Sequence, residues 1–166
     1  HKGDKFECTT QDMKTSDSHH KPQEVEANRF AADFLLPLER IELLIDDDIF
    51  DISTISEIAS EYRVSLSMAT IRIIPLLKGA WCAVWAENGI VKWITKSPAL
   101  HNDVIKANEK VKIGSIAYKC LTENHTPIKG EYITVPALAW LKDCDDTTFV
   151  DELTANLKNY HATLSL

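Results

Sequence analysis

Residues 22–37 read PQEVEANRFAADFLLP, and this stretch decides the architecture of the first half of the chain. Pro22 suits the first turn of a helix, because the N–H that it lacks has no partner at that position. Glu24 and Glu26 complement the positive end of the helix dipole. The apolar residues then follow helical spacing up to the closing proline. The stretch therefore predicts a helix over residues 22–36.

The same stretch carries a row of apolar side chains. Ala27, Phe30, Ala31 and Phe34 recur at the three-residue and four-residue spacing of one helix face. A face of this kind is usually buried in a protein core. We therefore expect these four residues to pack in the core and to have no direct part in a binding site.

The chain downstream predicts three more helices. A short one spans residues 38–44, and the aspartates that follow end its apolar pattern. Thr54 and Glu57 have the capping-box spacing that satisfies free backbone N–H groups at a helix start. After a tight turn, Ser65 is placed to cap a helix over residues 66–77. These last two helices have the spacing of a helix-turn-helix pair.

A change to β character follows the helices. Residues 81–86 and 90–95 flank Asn88-Gly89, and Asn-Gly is the strongest short signal for a two-residue hairpin turn. The remaining pattern predicts a helical turn over residues 116–121, a strand over 131–135 and a helix over 149–160.

This order of elements predicts an α+β fold with two domains. Residues 1–21 are polar and aperiodic and predict a lead-in loop. The helical domain would comprise residues 1–79, and a small mixed α/β domain with the hairpin would comprise residues 80–166. The boundary is placed at Lys78-Gly79, where the helical pattern ends.

Composition limits the class of protein. The chain has 166 residues and 45% hydrophobic residues, which indicates a folded globular protein. No apolar run approaches the roughly 18 residues of a membrane span, and no signal peptide is recognisable. The four cysteines contain no C-x-x-C pair, so free thiols in a reducing cytoplasm are expected. They are Cys8, Cys82, Cys120 and Cys144.

Charge bears on DNA binding by the helix pair. Arg72 and Lys78 are candidate DNA contacts if the second helix of the pair enters a major groove. The net charge of −7 opposes this, and the pair itself contains Glu57 and Glu61. DNA-reading helices usually come with several basic residues for phosphate. We therefore favour a packing role for the pair and expect no nucleic-acid or membrane partner.

Glu24 and Asn28 are the candidate functional residues. They are four apart on the predicted helix, so both project from one face and can meet one target. Glu26 lies about 200° around the helix from Glu24 and is the weaker candidate. In isolation, a glutamate at this place usually only complements the helix dipole, and the asparagine would be a surface amide.

Residues 24–37 resemble the E-x-x-A-N-x-F-A-x-x-L-L-x-P signature that follows H-E-x-x-H in metallopeptidases of the ImmA/IrrE family. In that family H-E-x-x-H supplies two histidine ligands and a general base, and a later helix supplies an acidic ligand. The resemblance implies that Glu24 is this zinc ligand. It also implies that Asn28 orients a zinc-binding histidine.

The chain departs from the family because it contains no H-E-x-x-H, and His19-His20 lacks the i, i+4 spacing of a zinc-binding pair. By itself it is therefore expected to be inactive and to bind zinc only together with upstream histidines. The family motif lies just before a segment such as residues 1–10, and the sequence begins at His1. We accordingly expect truncation, and not loss, to explain the missing motif.

The region after residue 80 resembles, more loosely, the C-terminal region of many ImmA/IrrE proteins. A W-x-x-x-G-x-I-K-W hairpin is common there, and in one branch of the family the region is GAF-like. Four tryptophans could line a ligand pocket or fill a small core, and core is the commoner role. They are Trp81, Trp85, Trp93 and Trp140.

Two functions of different class remain. The resemblance implies that the intact protein is a zinc-dependent endopeptidase, in which metal-bound water attacks a peptide bond of a partner protein such as a transcriptional repressor. The alternative is a non-catalytic regulatory module that binds protein or DNA through the helix pair and senses a ligand through residues 80–166. Zinc content separates the two.

Overall fold

A computed structural model describes residues 22–46, 49–123 and 125–166 of the protein. The predicted lead-in loop over residues 1–21 lies outside these residues. The described chain begins with helices and continues into antiparallel sheets, which confirms the predicted α+β fold. The first four helices are α1 Pro22–Leu35, α2 Leu38–Ile41, α3 Ile52–Glu61 and α4 Leu66–Ile73.

Side-chain caps set the starts of α3 and α4. The Asp51 carboxylate accepts a hydrogen bond from the Thr54 backbone N–H at 2.8 Å, so α3 begins directly after Asp51. The predicted capping box at Thr54 and Glu57 is therefore wrong, because the earlier aspartate caps the helix. Ser65 caps α4 as predicted and accepts a backbone hydrogen bond at 3.1 Å.

Two helices end earlier than predicted. α2 stops at Ile41, where the Leu44 N–H bonds to the Ile41 carbonyl at 2.8 Å and closes a turn. α4 stops at Ile73, and Ile74–Leu76 form a single 3-10 turn. The reason is Pro75, which has no N–H to continue the α-helix and would clash with the preceding turn.

The second part of the chain contains two antiparallel sheets and a short helix. The strands are β1 Cys82–Glu87, β2 Ile90–Lys96, β3 Ile133–Pro136, β4 Phe149–Glu152, β5 Thr154–Leu157 and β6 Ala162–Ser165. Four of them form a sheet in the order β2-β1-β6-β5, and β3 pairs with β4. The helix α5, Ile116–Thr122, contacts β5 and β6 and confirms the predicted helical turn.

The predicted hairpin is formed by β1 and β2. Asn88 has φ 50° and Gly89 has φ 78°, so both are left-handed, as a type I′ turn requires. The register shifts within the hairpin and leaves Lys92 as an extra residue in β2. The shift keeps Trp85 opposite Trp93, so that both rings lie on the same face of the sheet.

The predicted helix over residues 149–160 is wrong. Its apolar residues fit helical spacing, but the segment forms β4, β5 and a 3-10 turn over Lys158–Tyr160. β4 pairs with β3, and β5 pairs with β6. Hydrogen bonding to these neighbouring strands outweighs the local helical preference. The strand predicted over residues 131–135 is present as β3, which begins two residues later.

Both faces of the four-stranded sheet are buried. Ala83 and Leu164 on one face join Ile73 of α4 in a buried cluster. Val91 on the other face joins Ile116 of α5 in a second cluster. Residues before and after residue 79 thus share the first cluster. The division into two domains at that point stays a prediction, as does the GAF-like description of the second part.

The apolar face of α1 is exposed, which contradicts the expected core packing. Phe30 is 72% exposed and Phe34 is 75% exposed, and Ala31 is exposed as well. The side chain of Ala27 lies outside the described residues. Only after the helix ends does the chain enter the core, where Leu36 is fully buried. The described residues therefore contact α1 at its C-terminal end and leave this face uncovered.

The helices are short. α1, the longest of those described, has 14 residues, fewer than the roughly 20 that a membrane span requires. Across the described part of the chain, none combines the length and the apolar character needed to cross a bilayer. The cytoplasmic location stays a prediction.

Candidate functional site

The helix α1 carries both residues of the predicted zinc site. Glu24 is its third residue and Asn28 follows four residues later, so the two backbone positions lie on one helix face. Their side chains lie outside the described residues. The Glu26 side chain, which points to another part of the helix surface, is exposed. The helix is as predicted, and the roles of Glu24 and Asn28 stay predictions.

An ion pair joins α1 to α4. Arg72 Nη2 donates to Asp33 Oδ1 at 2.6 Å and to the Leu36 carbonyl oxygen at 3.4 Å. That carbonyl lies at the C-terminal end of α1, where the helix dipole favours a cation. The Arg72 side chain is 17% exposed and the Asp33 side chain 49% exposed. Arg72 thereby holds the C-terminal end of α1, and Glu24 lies near the other end of the same helix.

The two candidate DNA contacts lie in different surroundings. The guanidinium of Arg72 is engaged with α1, whereas Lys78 is exposed after the 3-10 turn and lines a cleft. α3, the first helix of the pair, exposes Glu57 and Glu61. These surroundings favour the packing role of the pair. DNA contact by Arg72 or Lys78 stays the less favoured, untested alternative.

The described residues do not assemble a complete metal site. Nowhere in the described ranges do three His, Cys, Asp or Glu side chains come together to hold an ion. Burial raises the pKa of the Cys82 thiol to about 12 and that of the Cys120 thiol to about 11. Both therefore keep their protons at neutral pH and are poor metal ligands. A zinc site would need histidines from an H-E-x-x-H motif, which these 166 residues lack.

Residues 5–73 match the family model described as the IrrE N-terminal-like domain, Peptidase M78. The match supports the assignment of this part of the chain to the ImmA/IrrE family. The match includes the signature on α1 and ends at the last residue of α4, and it confirms the resemblance. It suggests a zinc-metallopeptidase-like domain of a family that is typically zinc-dependent. The comparison with curated proteins finds no match.

A large cleft lies between the helices and the sheets, and residues both inside the family match and after it line the cleft. Its volume is about 1870 Å³. Three aromatic residues are among those that line it, Phe50, Trp81 and Tyr132. The Phe50 and Trp81 ring centroids are 5.4 Å apart at an interplanar angle of 76°, and those of Trp81 and Tyr132 are 6.4 Å apart at 61°. Both pairs have the edge-to-face geometry that aromatic rings prefer.

Tyr132 connects the two sides of this cleft. Its hydroxyl donates to the Phe50 carbonyl oxygen at 2.5 Å. The pKa of Tyr132 is raised to about 12, mainly by burial and to a smaller extent by the negative charge of Asp51. The phenol therefore stays protonated at physiological pH and remains a hydrogen-bond donor. The cleft wall is fixed by a contact between residues 82 positions apart in the sequence.

The tryptophans divide between core and cleft. Trp85 and Trp93 stack with ring centroids 5.7 Å apart and pack against the helices. Trp140 is 8% exposed in the second core cluster. These three fulfil the expected core role. Trp81 packs against the first cluster and also lines the cleft, as Trp140 does, so the pocket interpretation applies at these two positions as well.

Glu152 is a buried carboxylate that the sequence pattern does not reveal. It is 1% exposed. Its oxygens accept hydrogen bonds from the backbone N–H groups of Ile116 and Ala117 at 3.0 and 2.9 Å. They also accept from Trp140 Nε1 at 3.0 Å and Thr154 Oγ1 at 2.7 Å. With four donors around it, Glu152 joins α5, β4 and β5 and has a structural role.

Proposed function

We propose that α1 supplies the acidic ligand of a zinc metallopeptidase site. Glu24 would bind the metal, and Asn28 would orient one of its histidine ligands. The observation that carries the proposal is the coincidence of the fourteen-residue signature with a helix inside the family match. The two histidines and the general base would belong to an H-E-x-x-H helix that this sequence does not contain, so the 166-residue chain would be inactive.

The reaction would be the hydrolysis of a peptide bond in a partner protein, such as a transcriptional repressor. Zinc, when bound, supplies an activated water and polarises the peptide carbonyl. The contribution of this chain would be positional. Arg72 holds the C-terminal end of α1 through Asp33 and Leu36, which limits how far the helix can swing. A fixed helix would keep the Glu24 carboxylate at one distance from the histidines.

Zinc analysis of the protein expressed from its complete reading frame tests the proposal. We expect stoichiometric zinc in that protein and none in the 166-residue chain. Glu24→Gln should remove the zinc and the proteolysis while circular dichroism stays unchanged. Glu26→Gln is the matched control, because it makes the same change two residues away on another part of the helix surface.

Zinc that survives Glu24→Gln and is lost in Glu26→Gln would show that the other carboxylate is the ligand. A complete protein without zinc would exclude the metallopeptidase. The second candidate, a regulatory module without catalysis, would then replace it. The cleft beside the helical part favours this second candidate, because it offers a binding surface apart from α1.

A further inference from the structure

The cleft between the helices and the sheets is larger than a small-molecule site. Such sites usually enclose about 300 to 1000 Å³, whereas this cleft has about 1870 Å³. Two apolar side chains line it and remain largely exposed, Leu43 at 86% and Ile49 at 76%. An extended peptide has the size to fill this space and to cover both side chains.

The cleft walls carry an excess of negative charge. Glu42 lies at the end of α2, Asp51 at the start of α3 and Asp151 in β4, and all three line the cleft. Among the described residues, the hydrogen bonds of Asp51 and Asp151 occupy Oδ1 of each carboxylate. A carboxylate accepts through both oxygens, so Oδ2 of each can accept from a bound cation.

Aromatic rings lie beside this charge. Asp51 directly follows Phe50, whose ring packs edge-to-face on Trp81. The Asp51 Oδ2 atom faces the loop before β3, since a Cβ added at Gly130 would lie 3.9 Å from it. A cation over an aromatic face is attracted by the ring, and a neighbouring carboxylate adds to the attraction. These features select a guanidinium or ammonium group.

We propose that this cleft binds a segment of a partner protein that contains a lysine or arginine between apolar residues. The basic side chain lies against Trp81 and donates to Asp51 and Asp151. The apolar neighbours cover Leu43 and Ile49. The net charge of −7 favours the approach of a basic segment. The site is separate from the proposed zinc site, and the inference does not depend on that proposal.

The first test uses the 166-residue chain and fluorescence anisotropy. The probes are short fluorescein-labelled peptides with a central arginine flanked by leucine, isoleucine or phenylalanine. Each has a twin in which citrulline, of the same shape but without charge, replaces the arginine. We expect saturable binding of an arginine peptide and about tenfold weaker binding of its citrulline twin.

The second test uses two double variants with equal changes in net charge. Asp51→Asn with Asp151→Asn removes two cleft charges, while the asparagine oxygens can still cap α3 and accept from Thr134. Glu57→Gln with Glu61→Gln removes two charges from the exposed face of α3. We expect about tenfold weaker binding of the arginine peptide in the first variant and unchanged binding in the second. Circular dichroism checks that both fold.

Several results would overturn the proposal. Equal affinity for the arginine and citrulline peptides excludes recognition of the charge, and this comparison needs no variant. An equal loss in the two double variants assigns the effect to net charge alone. No saturable binding by any arginine peptide excludes the site. Displacement of the peptide by an equal concentration of free arginine amide identifies the occupant as a small cation and not a protein segment.

Discussion

Arg72 on α4 and Asp33 on α1 form an ion pair of 2.6 Å between residues 39 positions apart in the sequence. The same guanidinium reaches the Leu36 carbonyl at 3.4 Å. α1 exposes Phe30 and Phe34 among the described residues, so contacts at its C-terminal end determine its direction. The ion pair therefore helps to set the direction of α1 and, with it, the position of Glu24.

Removal of the Arg72 guanidinium should loosen α1. Arg72→Ala should speed amide hydrogen exchange in residues 26–35 and lower the free energy of unfolding by about 1 kcal/mol. Asp33→Asn should have a smaller effect, because its amide oxygen still accepts from the guanidinium. Hydrogen-exchange mass spectrometry and urea unfolding measure both quantities. Unchanged exchange in α1 after Arg72→Ala would show that other contacts hold the helix.

Glu152→Gln should destabilise the sheet region. Each carboxylate oxygen accepts two hydrogen bonds, so one orientation of the glutamine turns its NH₂ group toward the N–H groups of Ile116 and Trp140, and the other turns it toward the N–H group of Ala117. The buried unsatisfied groups should lower the free energy of unfolding by about 2 kcal/mol. Urea unfolding followed by tryptophan fluorescence measures the change.

The control for this prediction is Glu123→Gln, which makes the same change in an exposed residue at the end of α5. It should alter the free energy of unfolding by less than about 0.5 kcal/mol. Equal stability of Glu152→Gln and Glu123→Gln would mean that water or a shifted backbone replaces the four hydrogen bonds of Glu152.

The hairpin turn should depend on Gly89 and not on Asn88. Gly89 has φ 78°, and a Cβ added there would meet no atom within 4 Å, so the cost of Gly89→Ala is purely conformational. We expect a loss of about 1 kcal/mol in the free energy of unfolding. Asn88→Gly should be near neutral, because asparagine and glycine both tolerate left-handed backbone. Thermal unfolding of the two variants compares them, and equal melting temperatures would contradict the prediction.

The described cysteines should differ in reactivity. Burial raises the pKa of the Cys82 thiol to about 12 and that of Cys120 to about 11, so both contain little reactive thiolate at pH 8. Cys82 and Cys144 both have intermediate exposure and Cys120 is buried, so for Cys82 the prediction rests on its raised pKa. Iodoacetamide at pH 8 should therefore modify Cys144 before Cys82 and Cys120 in the folded chain, as read by peptide mass spectrometry.

Unfolding in urea is the control for the thiol experiment. It should abolish the difference in rate, because Cys82 and Cys120 then lose the burial that raises their pKa values, and all three thiols become fully exposed. Rapid labelling of Cys82 in the folded chain would indicate that the start of β1 opens to solvent.

The elements whose formation depends on residues close in the sequence were predictable from the sequence alone. The α1 helix follows from its proline, its acidic first turn and its spacing, and the same stretch carries the family signature. The hairpin follows from Asn88-Gly89, and the start of α4 follows from Ser65. In each case the deciding hydrogen bond or backbone angle involves residues within about four positions of one another.

Tertiary structure decided the rest. Residues 149–160 have helical spacing but form strands, because β3 and β6 offer backbone hydrogen bonds that a local pattern does not contain. The burial of Glu152 depends on donors from α5, β5 and Trp140 that the chain brings together only in the fold. The cleft is likewise lined by residues that are far apart in the sequence, from Glu42 to Leu166. Contacts between distant residues form only when their separate segments pack together. A local sequence pattern does not specify which segments will pack.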